Sequence, residues 1–454
     1  MKFKPLRSFC LSFLLCLGFE NPASALGPHE LLVVANENSI DSILVARSYL
    51  RMRSIPECNL VRVDIPESLY VTNNLITPAD FTRLVWEPVQ AKMAERGISS
   101  QILAWVYSCD FPTRISTTPN ISITGLTFLR NRIPDTEVID RGTHVSPLFA
   151  GPENADGPVQ PSQTLDQYRN MLLEGMPLPS MMLGYIRQRG NTVDEVLGAL
   201  ETGVASDSQF PRGTFYFTAT EDVRSMCRHW QYPGAAAAIR SEGQLVVITN
   251  AFPVQARIVG YMTGNRTAPA ELASYEPGAY ADHLTSFAGA FEVSAQTKMS
   301  EWLRHGATVT AGTVAEPYSI WHKFPNAYVF LHQLKGCTAI EAIYQATRSP
   351  LQLLPMGDPL SKPWAPKPRV QITLPDGPLS GMVEITASSD DAVRFTRFDW
   401  ILDGRTVATG RTFLWNSRSV PDGLHLIRAV ARGMSPMRHQ GFQEVVIDVR
   451  NPAQ

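Results

Sequence analysis

Leu31-Leu32-Val33-Val34-Ala35 is an unbroken apolar run, and a strand with no polar alternation has to be covered on both faces. The next segment supplies the cover. Ser39 or Asp41 caps a helix whose apolar side includes Leu44, Val45, Tyr49 and Met52. Asn59 to Ile65 predicts a second strand. Thr77-Pro78-Ala79-Asp80 starts a further helix, with proline in the first turn where its missing N–H costs least. Phe81, Val85, Val89 and Met93 continue that helix, Pro88 bends it and Gly97 ends it. Gln101 to Tyr107 is the third strand. Strands alternating with helices predict an α/β domain, a mostly parallel sheet with helices on both faces.

From 130 to 180 the alternation lapses. Pro134, Pro147, Pro152, Pro158, Pro161, Pro177 and Pro179 fall there among Gly and Asp. Loops of this length are functional or mobile, and one short helix at about Gln163 to Leu173 interrupts this one. The pattern resumes at Met181. Strands are expected at Thr214–Thr218, Gln244–Thr249, Arg257–Met262, Ala279–Leu284 and Ala307–Val314, with a helix from Ala295 to His305 stopped by Gly306. Thr192-Val193-Asp194-Glu195 and Thr338-Ala339-Ile340-Glu341 are capping boxes. Arg224, Arg228 and His229 lie on a helix beginning near Glu221 and read as a solvated basic face.

Composition shifts at Asp358, where Pro359, Pro363, Pro366 and Pro368 make a stiff linker. Short alternating runs come next at Val370–Leu374, Met382–Ala387, Phe395–Leu402, Leu424–Ala431 and Glu444–Val449, separated by Asp376-Gly377, Asp403-Gly404 and Asp422-Gly423. This is the pattern of an all-β sandwich. The organisation expected is a leader over 1–25, the α/β domain over 26–366 and the sandwich over 367–454.

The leader is read from Lys2, Lys4 and Arg7, the apolar stretch Phe9 to Phe19 and the A-x-A site Ala23-Ser24-Ala25. The stretch is too short to span a bilayer, so the mature chain is expected to be exported, periplasmic or extracellular, with no transmembrane segment. A net charge of -2 with both signs interspersed argues against a nucleic-acid partner. Of six cysteines, Cys10 and Cys16 leave with the leader. Cys58, Cys109, Cys227 and Cys337 are left, either in disulfides or as buried thiols. No H-E-x-x-H, EF-hand loop, P-loop, G-x-G-x-x-G or G-x-S-x-G occurs, so neither a metal nor another cofactor is expected.

Several landmarks carry a resemblance: Arg53-Ser54-Ile55-Pro56, Pro277-Gly278-Ala279, Leu284-Thr285-Ser286-Phe287, Gly312-Thr313-Val314-Ala315-Glu316-Pro317, His322-Lys323-Phe324-Pro325 and Gly357-Asp358-Pro359. Through them Glu30 to Pro363 resembles a family of exported bacterial proteins, with no assigned reaction, found in genomes that carry the exosortase/PEP-CTERM envelope-sorting system. The C-terminal part resembles bacterial Ig-like modules through Leu402-Asp403-Gly404, an exposed Trp415 and Asp422-Gly423-Leu424-His425. More distantly, Gly306 to Pro317 and Leu354 to Pro359 are similar to gingipain and caspase-type cysteine peptidases. That fold ends one strand with the His base and the next with the Cys nucleophile. Here Met262 or Thr263 stands where His would be, and Thr285 or Ser286 where Cys would be.

Ser286 is the nucleophile candidate, because open α/β sheets place their sites at strand carboxyl ends. His283 is the nearest base in sequence, but positions i and i+3 of a strand face opposite ways. His322 is the second candidate base, oriented by Glu316. Against these stands the plainer reading, in which Thr285, Ser286 and Glu316 serve turn backbone groups. Thr263, Thr285, Glu316, Tyr318 and Asp358 are candidate ligand-binding residues, although Gly357-Asp358-Pro359 reads more simply as an Asx turn. Cys109 and Asp110 close the third strand, where a disulfide or buried thiol is expected. The function expected is binding of a peptide or cell-envelope ligand on a peptidase-like fold that has lost its dyad. The alternative is a hydrolase using Ser286 with a His base.

Overall fold

The computed structural model describes residues 25–173, 175, 177–390, 395–433 and 439–452. Residues 1–24 of the expected leader lie outside these. The apolar run at Leu31 becomes strand β1 (Leu31–Asn36), buried along its whole length. It joins a sheet with β2 (Leu60–Val63), β3 (Ala104–Tyr107), β4 (Ser180–Met182), β5 (Thr214–Thr218), β6 (Leu245–Thr249), β7 (Arg257–Gly264), β8 (Ser274–Leu284), β9 (Val309–Thr313) and β10 (Leu353–Gly357). The order across the sheet is β2-β1-β3-β4-β10-β9-β8-β7-β5-β6. The ladders within β2-β1-β3-β4 and within β9-β8-β7-β5-β6 are parallel. β10 runs antiparallel to β9 and meets β4 at one position, Met356 beside Met182.

Helices cover the sheet in two sets that pack among themselves. Ile40–Arg53, Val193–Ser206 and Ser300–Arg304 form one set; Tyr232–Ser241, Val329–Leu334 and Ala339–Ala346 form the other. Ser39 caps the first helix by accepting from Ser42 N, and Thr192 and Thr338 close the two expected capping boxes. The helix begun at Thr77 passes through a π-helical turn, Thr82–Trp86, before Glu87–Glu95. The wider turn lies where the missing N–H of Pro88 would strand a carbonyl. The expected Ala295–His305 helix shrinks to Ser300–Arg304. Gln296 stands in the left-handed region at φ 87°, and its side chain is committed to the loop before it.

The C-terminal part forms two antiparallel sheets. β11 (Val370–Thr373), β12 (Met382–Ser389) and β15 (Thr412–Asn416) make one; β14 (Arg405–Thr409), β13 (Phe395–Leu402), β16 (Gly423–Gly433) and β17 (Gln440–Val449) make the other. Asp403 and Gly404, both at positive φ, turn β13 into β14, as an Asp-Gly hairpin does. Ile385, Phe398, Trp400, Phe413 and Trp415 fill the space between the sheets. Trp415 corrects the expectation of an exposed ring. It is 4 % exposed, and its indole N–H reaches Ser419 Oγ at 3.0 Å. β14 and β15 have no counterpart among the strands expected from sequence. All four described cysteines are free, with Cys109 and Cys337 buried.

The sandwich docks on the end of the sheet where β1 and β3 begin. Gln101 N–H donates to Gly404 O (2.8 Å) and its Oε1 accepts from Thr406 N (2.9 Å). Arg428 donates to Ser54 O, and Arg432 to Glu30. The opposite edge stays clear of the sandwich. There, residues just past β3 and β4 meet residues just past β8.

Candidate functional site

Three segments converge on that clear edge. Past β3, Asp110 is held at φ 58° and fully buried. It accepts from Arg187 Nε (2.7 Å) and Nη2 (2.5 Å), and from Ser39 Oγ (2.6 Å). Past β4, Tyr185 stacks on Phe291 at 4.1 Å, and Arg189 donates to Phe291 O and Glu292 O. Past β8, Glu292 pairs with Arg114 at 2.8 Å. Burial and the Asp110 carboxylate push the Cys109 thiol well above its ordinary range, which suits an inert thiol.

Ser286 lies at this edge, 8 % exposed. Thr313 Oγ1 donates to the carbonyls of Thr285 (3.2 Å) and Ser286 (3.1 Å). Gln296 Oε1 accepts from Thr285 Oγ1 and from Phe287 N, both at 2.8 Å. Lys298 Nζ donates to Phe287 O at 2.6 Å. Burial lowers the Lys298 pKa to about 8. The loop is therefore tied down at its carbonyls and at Thr285, while no His, Lys or acid among the described residues hydrogen-bonds Ser286 Oγ.

Neither candidate base is brought to Ser286. His283 is buried, donates Nε2–H to Asn265 O at 2.6 Å and packs edge-on against Trp302 at 5.7 Å. Burial pushes its pKa down to about 4. His322 is half-buried against Trp321, with its pKa lowered by burial and then by Arg348. Glu316 does not orient it. Its Oε1 accepts from Tyr318 N at 2.9 Å, a turn contact, and Tyr318 is exposed at φ 56°. Thr263 is buried; its carbonyl accepts from Arg228 at 2.6 Å and its hydroxyl from Asn265 at 3.2 Å.

Asp358 is not at this edge. The antiparallel run of β10 carries it to the end where β9 begins, with Asp358 N on Thr308 O. There it is fully buried and accepts from Tyr49 Oη (2.8 Å), Leu360 N (3.0 Å) and Arg53. The Leu360 contact makes the Asx turn. A ligand has no access to this carboxylate.

Arg228 also departs from expectation. It is fully buried, pairs with Asp282 of β8 and donates to Thr263 O and Pro325 O (3.0 Å). It braces the two strand ends from below rather than forming a solvated face. Arg228→Met is expected to cost about 3 kcal/mol, read as a lower urea midpoint at unchanged slope; a loss under about 1 kcal/mol would mean the pair carries little.

Two concave regions lie beside residues already described. A groove of about 550 Å³ beside the Ser286 loop is walled by Arg189, Thr267, Glu271, Gln296, Lys298 and Glu301. Ser286 does not line it. A cavity of about 490 Å³ lies between the α/β part and the sandwich, with Arg53, Asp207 and Lys362 from one side and Lys367, Gln440 and Phe442 from the other. No group of three or more His, Cys, Asp or Glu fit to hold a metal occurs among the described residues. Lys298 and Gln296, which shape the groove, carry no signal in the sequence, because the spacing around them predicts a helix.

No family model matches the chain, and no curated protein does. Among solved structures it is similar to the Arg-specific cysteine proteinase gingipain R (RgpB), at 10% identity and TM-score 0.43, covering 95% of this chain and 100% of that one. It is also similar to a complex of Porphyromonas gingivalis RgpB pro- and mature domains, at 9% identity and TM-score 0.44, covering 93% and 100%. Fibronectin(III)-like modules of Clostridium thermocellum CbhA match 24% of this chain and 58% of theirs, at 21% identity and TM-score 0.17.

Proposed function

We propose that the chain is an exported binding protein that takes a peptide in the groove beside the Ser286 loop and does not cleave it. The carrying observation is the state of Ser286. Its hydroxyl has no base, His283 is locked onto Asn265 O, and Lys298 is spent on Phe287 O. A serine without a base within hydrogen-bond reach has no route to an alkoxide at neutral pH. The groove instead offers both signs of charge, Arg189 against Glu271 and Glu301, which suits a peptide bearing acidic and basic groups. Its volume falls in the range of small-ligand sites. Lys2, Lys4, Arg7 and the Ala23-Ser24-Ala25 site support export, and no helix of the described residues is long and apolar enough to cross a membrane.

The test is incubation of the mature protein with a mixed peptide library. Retained peptides are identified by mass spectrometry and cleavage products are sought in parallel. Retention without cleavage is expected. Glu271→Gln should weaken the selected peptide about tenfold, the cost of one charged contact, while Ser286→Ala changes its Kd less than about twofold. Turnover that Ser286→Ala abolishes would establish the hydrolase instead.

A further inference from the structure

Glu341 is a carboxylate buried in the core of the α/β domain, 1 % exposed. It has no salt-bridge partner among the described residues. It opens the helix Ala339–Ala346, where its Oε2 accepts from Thr338 N (2.9 Å) and Thr338 Oγ1 (2.7 Å). Its Oε1 accepts from Leu165 N (2.9 Å) and from Leu26 N (3.0 Å). Burial raises its pKa. Lys362 acts on it at a distance and the neighbouring Cys337 thiol is uncharged, so the negative charge stays without a contacting cation. Four neutral donors ease its burial; an ion of opposite sign in contact would do more.

One of those four donors is not an ordinary backbone amide. Leu26 is the residue after Ala23-Ser24-Ala25, and both Ala25 (2 % exposed) and Leu26 (1 % exposed) are buried. We infer that hydrolysis of the Ala25–Leu26 bond turns Leu26 N into an α-ammonium that becomes the counter-ion of Glu341. Glu341 is thus a built receptor for the processed chain end. The inference rests on the reading of residues 1–25 as an export leader. Water supplies the hydroxyl of the new Ala25 carboxyl and one hydrogen of the new amine. The amine then takes up a proton as the carboxyl gives one up, so the cut creates the positive charge where the carboxylate already waits. Because the bond is buried in the folded chain, the export peptidase must cut before folding is complete. The charged end then enters as the domain closes, a charge-assisted contact replacing a neutral one.

The test has three parts. N-terminal sequencing of the exported protein is expected to begin at Leu26. The protein beginning at Leu26 is then compared with one carrying a single Gly before it, each with Glu341 and with Glu341→Gln. The added Gly keeps the Leu26 N–H but moves the charge one residue away. It should lower the apparent Tm by about 5 °C when Glu341 is present, and by under about 1 °C in Glu341→Gln. Finally, an amine-terminus-selective aldehyde should label the native Leu26 protein at least about tenfold more slowly than the denatured chain. This last readout decides the matter if Glu341→Gln does not fold. An exported protein that still begins at Met1 overturns the leader reading, and a processed start other than Leu26 overturns the pairing. A start at Leu26 with equal Tm shifts in both backgrounds, with no shift, or with fast native labelling, overturns the pairing.

Discussion

Arg432→Met is expected to lower the unfolding free energy by about 4–5 kcal/mol, the upper range for breaking a buried ion network from one side. Arg432 is 3 % exposed on β16, and its guanidinium meets three carboxylates from three segments. They are Glu30 ahead of β1 (2.9 Å), Asp166 in the Pro-rich insertion (3.1 Å) and Asp399 on β13. Burial alone would raise the Glu30 carboxyl, yet Arg432, with His29 and Arg169, holds it below the usual carboxylate range. Methionine fills a similar volume and leaves those charges facing one another, with Arg169 left to serve Glu30 and Asp166 and the part-exposed Arg397 to serve Asp399. The measurement is urea denaturation followed by far-UV and tryptophan signals separately. Because this residue ties the sandwich to the sheet, the two signals should also separate, the sandwich melting first. Coincident curves with a loss below about 1 kcal/mol would mean that the remaining interdomain contacts suffice.

Acid is expected to destabilise the protein below about pH 6.5 through three buried imidazoles. Burial lowers the pKa of His29 to about 3 and of His283 and His332 to about 4. An unfolded histidine titrates near 6.5. Below that value the unfolded chain binds protons that the folded chain refuses, so stability is full above about pH 6.5 and falls with pH until the folded values are reached. Geometry explains the refusal. His283 Nδ1 and His332 Nε2 are buried without an acceptor, while their other nitrogens are bonded to Asn265 O and Ser162 Oγ (2.8 Å). A histidine lowered from 6.5 to about 4, as His283 and His332 are, removes about 3 kcal/mol across the window. Asp282, Asp358 and Glu341, raised by burial, act in the opposite sense, so the histidine share has to be isolated by substitution. His283→Gln should flatten the stability slope between pH 6 and 4.5 by about 1.4 kcal/mol per unit. An unchanged slope would show that His283 is protonated at no cost in the fold.

Most of the architecture was legible because burial dictates it. The all-apolar run at Leu31 had to be a covered strand, and the Asp-Gly pairs had to turn the sandwich. The centre of the sheet was not legible. β4 is three residues inside a Pro-rich stretch, and β10, Leu353–Gly357, contains Pro355 beside Gly357, so local pattern argues against both strands and only tertiary pairing makes them. Missing β10 also misplaced Asp358, since a strand whose direction is unknown can deliver its last residue to either edge. Arg228 looked solvent-bound because a lone sequence does not reveal that Asp282 lies opposite. Lys298 was hidden for the converse reason: its neighbours carry helical spacing, and the left-handed Gln296 that breaks the helix leaves no mark in composition.

The sandwich grips the sheet by its amino-terminal end, while the groove opens at the carboxyl-terminal end. Strands of five to eight residues set those ends roughly 15–25 Å apart. That exceeds the screening length of about 8 Å at physiological salt. A charge arriving on the sandwich is therefore electrically silent at the groove. Anything that holds the sandwich can communicate with the groove only as a push along rigid strands, and otherwise serves as a handle that leaves the business end facing outward.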